Sequence, residues 1–361
     1  MFLKGLATTE EAPLVCVHTL HPYTHYLLQS LTLRKNTVIK VCRVSLEIHH
    51  KPGGVLVAHP RDGMTDLAPY DLQVGGHHKG SQSHVLKDKN GRILKPLKLN
   101  ANPTFNPNVE VTSRENHSED ELLPVCRDEL EFYQRIAIST NPDDVSLLHL
   151  MPSFYGTQVV QGPDDKEELH LLLGDLTWGL QHPCVADIKI GRTDFYPGKN
   201  SKKRGVLHEL GFRLTGMRVV QIDTGSLGTR SSKDDCKAWT TPQMLEGLDK
   251  FCYGTTRVST YLRHSIVSQL QHIHHWALSQ RSYKIRGSSI LVVYDAEQLT
   301  SVPQDIVSGK SVVAGEVWPK VIVKMIDFAH VLHSFGVRDE NYIFGLENLI
   351  KYISNKENEN L

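Results

Sequence analysis

Hydrophobic positions along the chain follow two periods. Short strand-like runs, SHVLKD and RILKPLKL, HLMPSFYGTQVV, ELHLLLGDL, PCVADIKIG, GFRLTGMRVVQID, and the β-branched GSSILVVYDA and KVIVKMIDFAHV, each predict a strand, with alternation at every second residue in RILKPLK and PCVADIKIG. The first two are joined by Lys-Asn-Gly, and Asn90-Gly91 is a strong hairpin signal; the next two flank Gly162-Pro163-Asp164. Helical spacing appears over 125–139, with Leu130, Tyr133 or Gln134, and Ala137 on one side. It returns in TPQMLEGLDKFCYG, which starts at Thr241-Pro242 and stops at Gly254. Over 258–280, Val258, Leu262, Ile266, Leu270, Ile273 and Ala277 form one stripe of a long core-facing helix, and NYIFGLENLIKYISN forms a last one.

Other segments carry less pattern. VIKVCRVSLEI (38–48) reads as a strand within an N-terminal extension over 1–65, and NANPTFNPNVEVTSRENHSEDE is a polar loop or insertion. Strands cluster in both halves with helices between them, which predicts a two-lobed α+β protein: an N-lobe over 66–176 and a C-lobe over 177–361.

Composition narrows the chemistry. Lys plus Arg equal Asp plus Glu at 40 each, so no global field favours nucleic acid or an acidic membrane, and an anion site has to be local. The 6 cysteines form no CxxC pair, which fits reduced thiols in the cytosol or nucleus. The 20 histidines are scattered; His272 and His275 have a ligand-like spacing but read as a solvated helix face. The first residues lack the apolar core of a secretory signal, and no stretch approaches the roughly 18 apolar residues of a membrane span. The expectation is a soluble protein of the nucleus and cytoplasm.

The charged positions inside apolar runs carry the functional signal. In PCVADIKIG, alternation puts Val185, Asp187 and Lys189 on one face and Cys184, Ala186, Ile188 and Ile190 on the other. Asp327 ends the apolar run VIVKMI, where a carboxylate is costly unless a cation meets it. Mg²⁺ with a nucleotide triphosphate is the commonest such partner. Lys95 follows the Asn-Gly turn, where a kinase keeps a phosphate-binding lysine, and Glu129 or Glu131 on the next helix could orient it. VGGHHKG is neither a Walker loop nor GxGxxG, so its glycines need mean no more than a turn.

PCVADIKIG matches PxxxDxKxG, the signature of the inositol polyphosphate kinase family, and SSIL (288–291) and IDFAHV (326–331) follow in the family's order. VGGH, ILKPL, ELEFY, GFRLTGMRV and NYIFGLENLI also resemble family blocks, so the likeness runs from Leu72 to Ile353. The resemblance implies a two-lobed fold related to protein kinases and ATP-grasp enzymes, with antiparallel sheets and ATP in the cleft between the lobes. It implies that Lys95 meets the ATP phosphates beside Glu129, that Asp175 and Leu176 lie at the hinge, and that Ser288 and Ser289 support the metal and phosphate region. Asp187 would stand near the ribose and the acceptor hydroxyl, Lys189 would bind substrate and the transferring phosphoryl group, and Asp327 would hold Mg²⁺. Arg218 and His330 would meet inositol phosphates, together with Lys199, Lys202, Lys203 and Arg204 of a short insert over 192–210.

DIKIG followed by Arg-Thr and Phe-Tyr-Pro, with DFAHV later, resembles the multikinase branch of the family more than the hexakisphosphate kinases. The implied activity is transfer of the ATP γ-phosphate to inositol tris- and tetrakisphosphates, and to phosphatidylinositol bisphosphate if the short insert leaves the pocket open. The implied assembly is a monomer that needs no nucleic acid. Two alternatives stay open: a hexakisphosphate kinase making pyrophosphates, and a catalytically silent scaffold.

Overall fold

The computed structural model describes residues 39–41, 44–46, 67–75, 85–97, 123–162, 166–193, 205–254, 256–302 and 319–358. Where one strand is expected over 38–48, β1 (Ile39–Val41) and β2 (Val44–Leu46) instead form a small antiparallel pair.

The first lobe is a five-stranded antiparallel sheet of β3 (Ala68–Pro69), β4 (Leu86–Lys87), β5 (Arg92–Pro96), β6 (Phe154–Gln161) and β7 (Glu167–Gly174), in the order β3-β4-β5-β7-β6. The Asn-Gly signal gives the hairpin, but by a longer loop than the two-residue turn it suggests. Asp88 N–H reaches the Arg92 carbonyl, Gly91 takes φ 75°, and the Asp88 carboxylate accepts from the backbone of Asn90 and Arg92. Lys89, Asn90 and Gly91 therefore form the three-residue loop that ends in a left-handed glycine. This turn sets which face of β5 carries Lys95.

Helix Glu129–Ile138 packs on this sheet. Asp128 caps it, accepting from Glu131 N at 3.0 Å. Its buried side chains are Glu129, Leu130, Phe132, Tyr133 and Ile136, so the inward face is rotated from the expected stripe ending at Ala137. Aromatic packing drives the rotation: Phe132 stacks on Phe328 with ring centroids 5.1 Å apart, and Tyr133 on Phe154 at 5.2 Å. A further helix, Pro142–Leu148, occupies residues just ahead of β6. Its signals are Asn141, which accepts from Asp143 N, and Pro142 in the first turn. His149–Met151 consequently follow a helix, and the strand expected from His149 begins at Phe154.

The second lobe is built on β8 (Pro183–Ile190), β9 (Phe212–Val220), β10 (Leu227–Ser231), β12 (Ser289–Asp295) and β13 (Val321–Ile326), antiparallel in the order β10-β9-β8-β12-β13. β11 (Tyr283–Ile285) and β14 (Val331–His333) pair beside it. One face of β8, with Cys184, Ala186, Ile188 and Ile190, is in the main core with helices Thr241–Phe251, Arg257–Ser279 and Glu340–Asn358. The long helix contributes the expected stripe, with Leu262, Ile266, Leu270, Ile273 and Ala277 buried and Val258 at its margin, while His272 and His275 are exposed. The other face of β8 belongs to the cleft.

Candidate active site

Three rows of side chains cross the cleft face of the second sheet. Nearest the Pro183 end, Val185 faces Val293 of β12, which faces Ile322 of β13. Val74, Leu176 and Leu180 pack on them, making an apolar cluster separate from the main core. One step along β8, Asp187 stands between Gly216 of β9 and Leu291 of β12. The third row is Arg213, Lys189, Ser289 and Ile326. Immediately after Ile326, Asp327 takes φ 65°, a left-handed conformation unusual for a residue with a side chain. The alternation thus gives a slot with an apolar end and a charged end.

The connection between the lobes is fixed by its own polar groups. Asp175 Oδ1 accepts from the backbone N–H and hydroxyl of Thr177, at 2.8 and 2.6 Å, and from the Tyr70 hydroxyl at 3.2 Å. That carboxylate is spent on the turn, while Leu176 supplies an apolar wall. At the far end of the connection, Asp295 accepts from Gln181 N and His182 N at 2.8 and 2.9 Å.

The segment over residues 71–75 roofs the slot. A Cβ on Gly216 would lie 1.8 Å from the Val74 carbonyl oxygen, and one on Gly75 would lie 1.9 Å from Asp187 Oδ2. These glycines therefore permit close backbone approach over the carboxylate, a larger role than a turn. Arg230 holds the same segment by donating to the carbonyls of Asp71 and Gln73. Since Val74 is backbone and cannot swing away, Gly216→Ala is expected to lift the roof at a cost of about 1–3 kcal/mol in local packing, read as a rise of roughly tenfold or more in the KM for nucleotide. An unchanged KM would remove this role from Gly216.

Lys95 brings the lobes together. Its Nζ donates to Glu129 Oε1 at 2.9 Å, lies 2.8 Å from Oε2, and donates to Asp327 Oδ1. Glu129, in the buried first turn, also accepts from Phe328 N at 3.1 Å, which fixes the residue following Asp327. The choice between two glutamates is thereby settled: Glu131 instead accepts from Arg127 N at 2.7 Å and closes the helix start. Burial would lower the Lys95 pKa, but Asp327 and Glu129 outweigh it and keep the ammonium charged. For Asp327, burial would raise the carboxyl, yet the charges of Lys95, Lys189 and Lys233 hold it below the ordinary range.

Asp187 is the opposite case. It is only 5 % exposed, and its Oδ1 has no hydrogen-bond partner. Burial first, and then the nearby Asp327 charge, push its carboxyl up, against smaller opposing effects of Thr215, Ser289 and Lys189. Two neighbouring carboxylates with opposite shifts are an arrangement suited to unequal chemical roles.

The other expected residues separate into groups. Ser289 is in the Lys189 row; Ser288 is fully buried with an unpartnered Oγ, and its carbonyl accepts from Ile190 N. His330 is half-buried three residues after Asp327, and its carbonyl accepts from Arg286 N. Arg218 is set back from Lys189: it faces Val185 and donates to the Pro183 carbonyl. Lys199, Lys202, Lys203 and Arg204 lie outside the described residues. The chain leaves β8 at Gly191, with φ 103°, and its N–H bonds the Gly211 carbonyl at 2.7 Å, so both ends of the insert are joined. A Cβ at Gly191 would strike Asn341, which instead accepts from Thr193 N.

Two lobes, an apolar slot and a lysine–glutamate–aspartate cluster at its charged end define a phosphotransferase architecture. The family model described as "Inositol polyphosphate kinase" matches residues 170–354, and the chain belongs to that family and is a kinase. It is 27% identical over 306 residues to inositol polyphosphate multikinase beta of Arabidopsis thaliana, covering 78% of this chain and 90% of that one. A match to inositol hexakisphosphate kinase 3 of Mus musculus is 31% identical over 207 residues but covers 53% of this chain and 51% of that protein. Within the family the chain is multikinase-like. Among solved structures, an inositol phosphate multikinase from S. cerevisiae in complex with ADP and Mn²⁺ aligns with a TM-score of 0.48 and 20% identity, over 65% of this chain and 97% of that one.

Proposed function

We propose that the protein transfers the γ-phosphoryl group of ATP to a ring hydroxyl of inositol tris- and tetrakisphosphates. The observation that carries this reading is the Lys95 cluster at the end of the apolar slot, with Asp187 and Lys189 in successive rows beside it. The adenine fits between Val74, Leu176, Val185 and Val293, and Lys95 reaches the phosphates. The acceptor oxygen attacks the γ-phosphorus, the bond from that phosphorus to the β,γ-bridging oxygen breaks, and the leaving group is ADP. The acceptor proton passes to Asp187 Oδ1, whose raised pKa suits it to take a proton. Lys189 neutralises charge on the transferring group.

The residues fit a divalent cation. Among the described residues no three His, Cys, Asp or Glu side chains form a metal cage, but Asp327 lies near Asp187, whose Oδ1 is unpartnered. Mg²⁺ prefers one or two carboxylates completed by phosphate oxygens and water. Asp327 would hold it, with Asp187 alongside; when bound it neutralises charge on the β- and γ-phosphate oxygens.

Product identification with purified protein, ATP, Mg²⁺ and a panel of inositol tris-, tetrakis-, pentakis- and hexakisphosphates tests the reading. Phosphorylation of the tris- and tetrakisphosphates is expected. Exclusive use of the hexakisphosphate would make the protein a pyrophosphate-forming kinase, and no turnover with any of them would leave the scaffold reading. Phosphatidylinositol bisphosphate in vesicles, added to the panel, tests head-group acceptance.

A further inference from the structure

Arg213 is a cation placed at the charged end of the cleft with part of its hydrogen-bonding capacity unused. It is directly opposite Lys189 in the β8–β9 register, so the two side chains leave the same face of the sheet. Like charges directly opposite each other on neighbouring strands are destabilising. Arg213 Nε is buried and has no hydrogen-bond partner. Arg263 also has one buried unpartnered nitrogen, but its guanidinium is held by Asp249 and Ser259, as Arg286 is by Asp339 and Arg218 by the Pro183 carbonyl. A planar donor fork beside an ammonium, with a buried donor unpaired, is matched by an anion with several oxygens.

We propose that Arg213 binds a phosphate already present on the inositol ring, next to the hydroxyl that receives the new one. The proposal rests on the kinase reading above and adds a substrate contact to it. Arg213, Lys189 and Ser289 form one row across three strands, and neighbouring strands are about 4.8 Å apart. An acceptor ring over Lys189 therefore has one edge toward the Asp327 side and the other toward Arg213. Lys233, at the start of helix Lys233–Ala238, adds positive charge near Asp327 and so lines the same end of the cleft. The cations beside Lys189 select an acceptor with a phosphate next to the reacting hydroxyl.

The test compares Arg213→Gln and Arg213→Lys with the unmodified protein, using ATP and inositol trisphosphate isomers that differ in which ring positions carry phosphate. For Arg213→Gln, the KM for the preferred isomer should rise roughly 10- to 100-fold, the range for a lost charge-assisted hydrogen bond, while the KM for ATP is unchanged. Arg213→Lys should recover part of the loss. The penalty should vanish on the isomer that lacks the phosphate held by Arg213. An unchanged KM in an active Arg213→Gln enzyme, an equal penalty on every isomer, or a parallel rise in the KM for ATP would overturn the proposal. Failure of the unmodified protein to phosphorylate any inositol phosphate would overturn the kinase reading, and this contact with it.

Discussion

Asp187→Asn is expected to abolish phosphoryl transfer while making the nucleotide-free protein more stable. The buried carboxylate has an oxygen without a partner, beside a second carboxylate on Asp327. Its folded pKa is raised, so its contribution favours folding below the unfolded carboxylate pKa of about 4 and is lost as pH rises through the folded value. Above that range the Asp187 carboxyl is therefore a cost to the folded state, and the near-isosteric amide removes the charge. An unsatisfied buried polar group costs about 1–3 kcal/mol and more when charged, so a gain of about 1 kcal/mol, or about 2 °C in melting temperature, is the expected scale. The gain should shrink as pH falls and the carboxyl in the parent protein becomes protonated. Catalysis moves the other way, with kcat falling by about 10²–10⁴-fold on loss of a positioned proton acceptor. Thermal melts across pH and kcat on the same samples check both halves. A variant that keeps its activity, or one that melts lower at neutral pH, would refute this account of Asp187.

The contrast between Asp187 and Asp327 shows how far the sequence carries the site. Alternation correctly put Asp187 and Lys189 on one face, because a strand's side-chain period is fixed whatever it packs against. The long helix and its stripe were legible for the same reason, since one apolar face had to meet a sheet. The Lys95–Asp327 contact was not readable from periodicity: the two residues are 232 positions apart and meet through the packing of two lobes. Arg213 was hidden differently. GFRLTGMRV reads as a strand, but which of its residues faces Lys189 depends on a register shift between Asp187 and Ile188, and local propensity does not encode that irregularity. Gly216 matters through the Val74 backbone that passes over it and Gly75 through the Asp187 carboxylate it approaches, and neither neighbour is present in the local sequence. Asp175 lies in the connection between β7 and β8, and its side chain turns inward to serve Thr177 and Tyr70, which no local pattern announces.

Lys95→Met is expected to cost both catalysis and stability, and its pH dependence should be opposite in sign to that of Asp187→Asn. Removing the ammonium leaves Glu129 buried and Asp327 without its main counter-charge. Breaking a fully buried ion pair from one side costs roughly 3–5 kcal/mol; here roughly 2–3 kcal/mol is expected, because the Lys95 and Asp327 side chains are 27% and 39% exposed and solvent screens part of the interaction. Asp327 has a depressed pKa, so its stabilising contribution is present above about pH 4 and lost as pH falls through the folded value. Lys95 has a raised pKa, so its contribution is present below about pH 10 and lost as pH rises through the folded value. The deficit of the variant should accordingly be largest between those limits and close toward acid, as Asp327 takes up a proton below its depressed folded value. Activity should fall by about 10²–10³-fold, since a preorganised cation aimed at the phosphates is lost. Denaturant unfolding at pH 7 and well below about pH 4, with kcat and the KM for ATP at pH 7, separates the two effects. If the deficit were the same at both pH values, Lys95 would stabilise the fold by packing its aliphatic stem, and the charge cluster would carry none of the stability assigned to it.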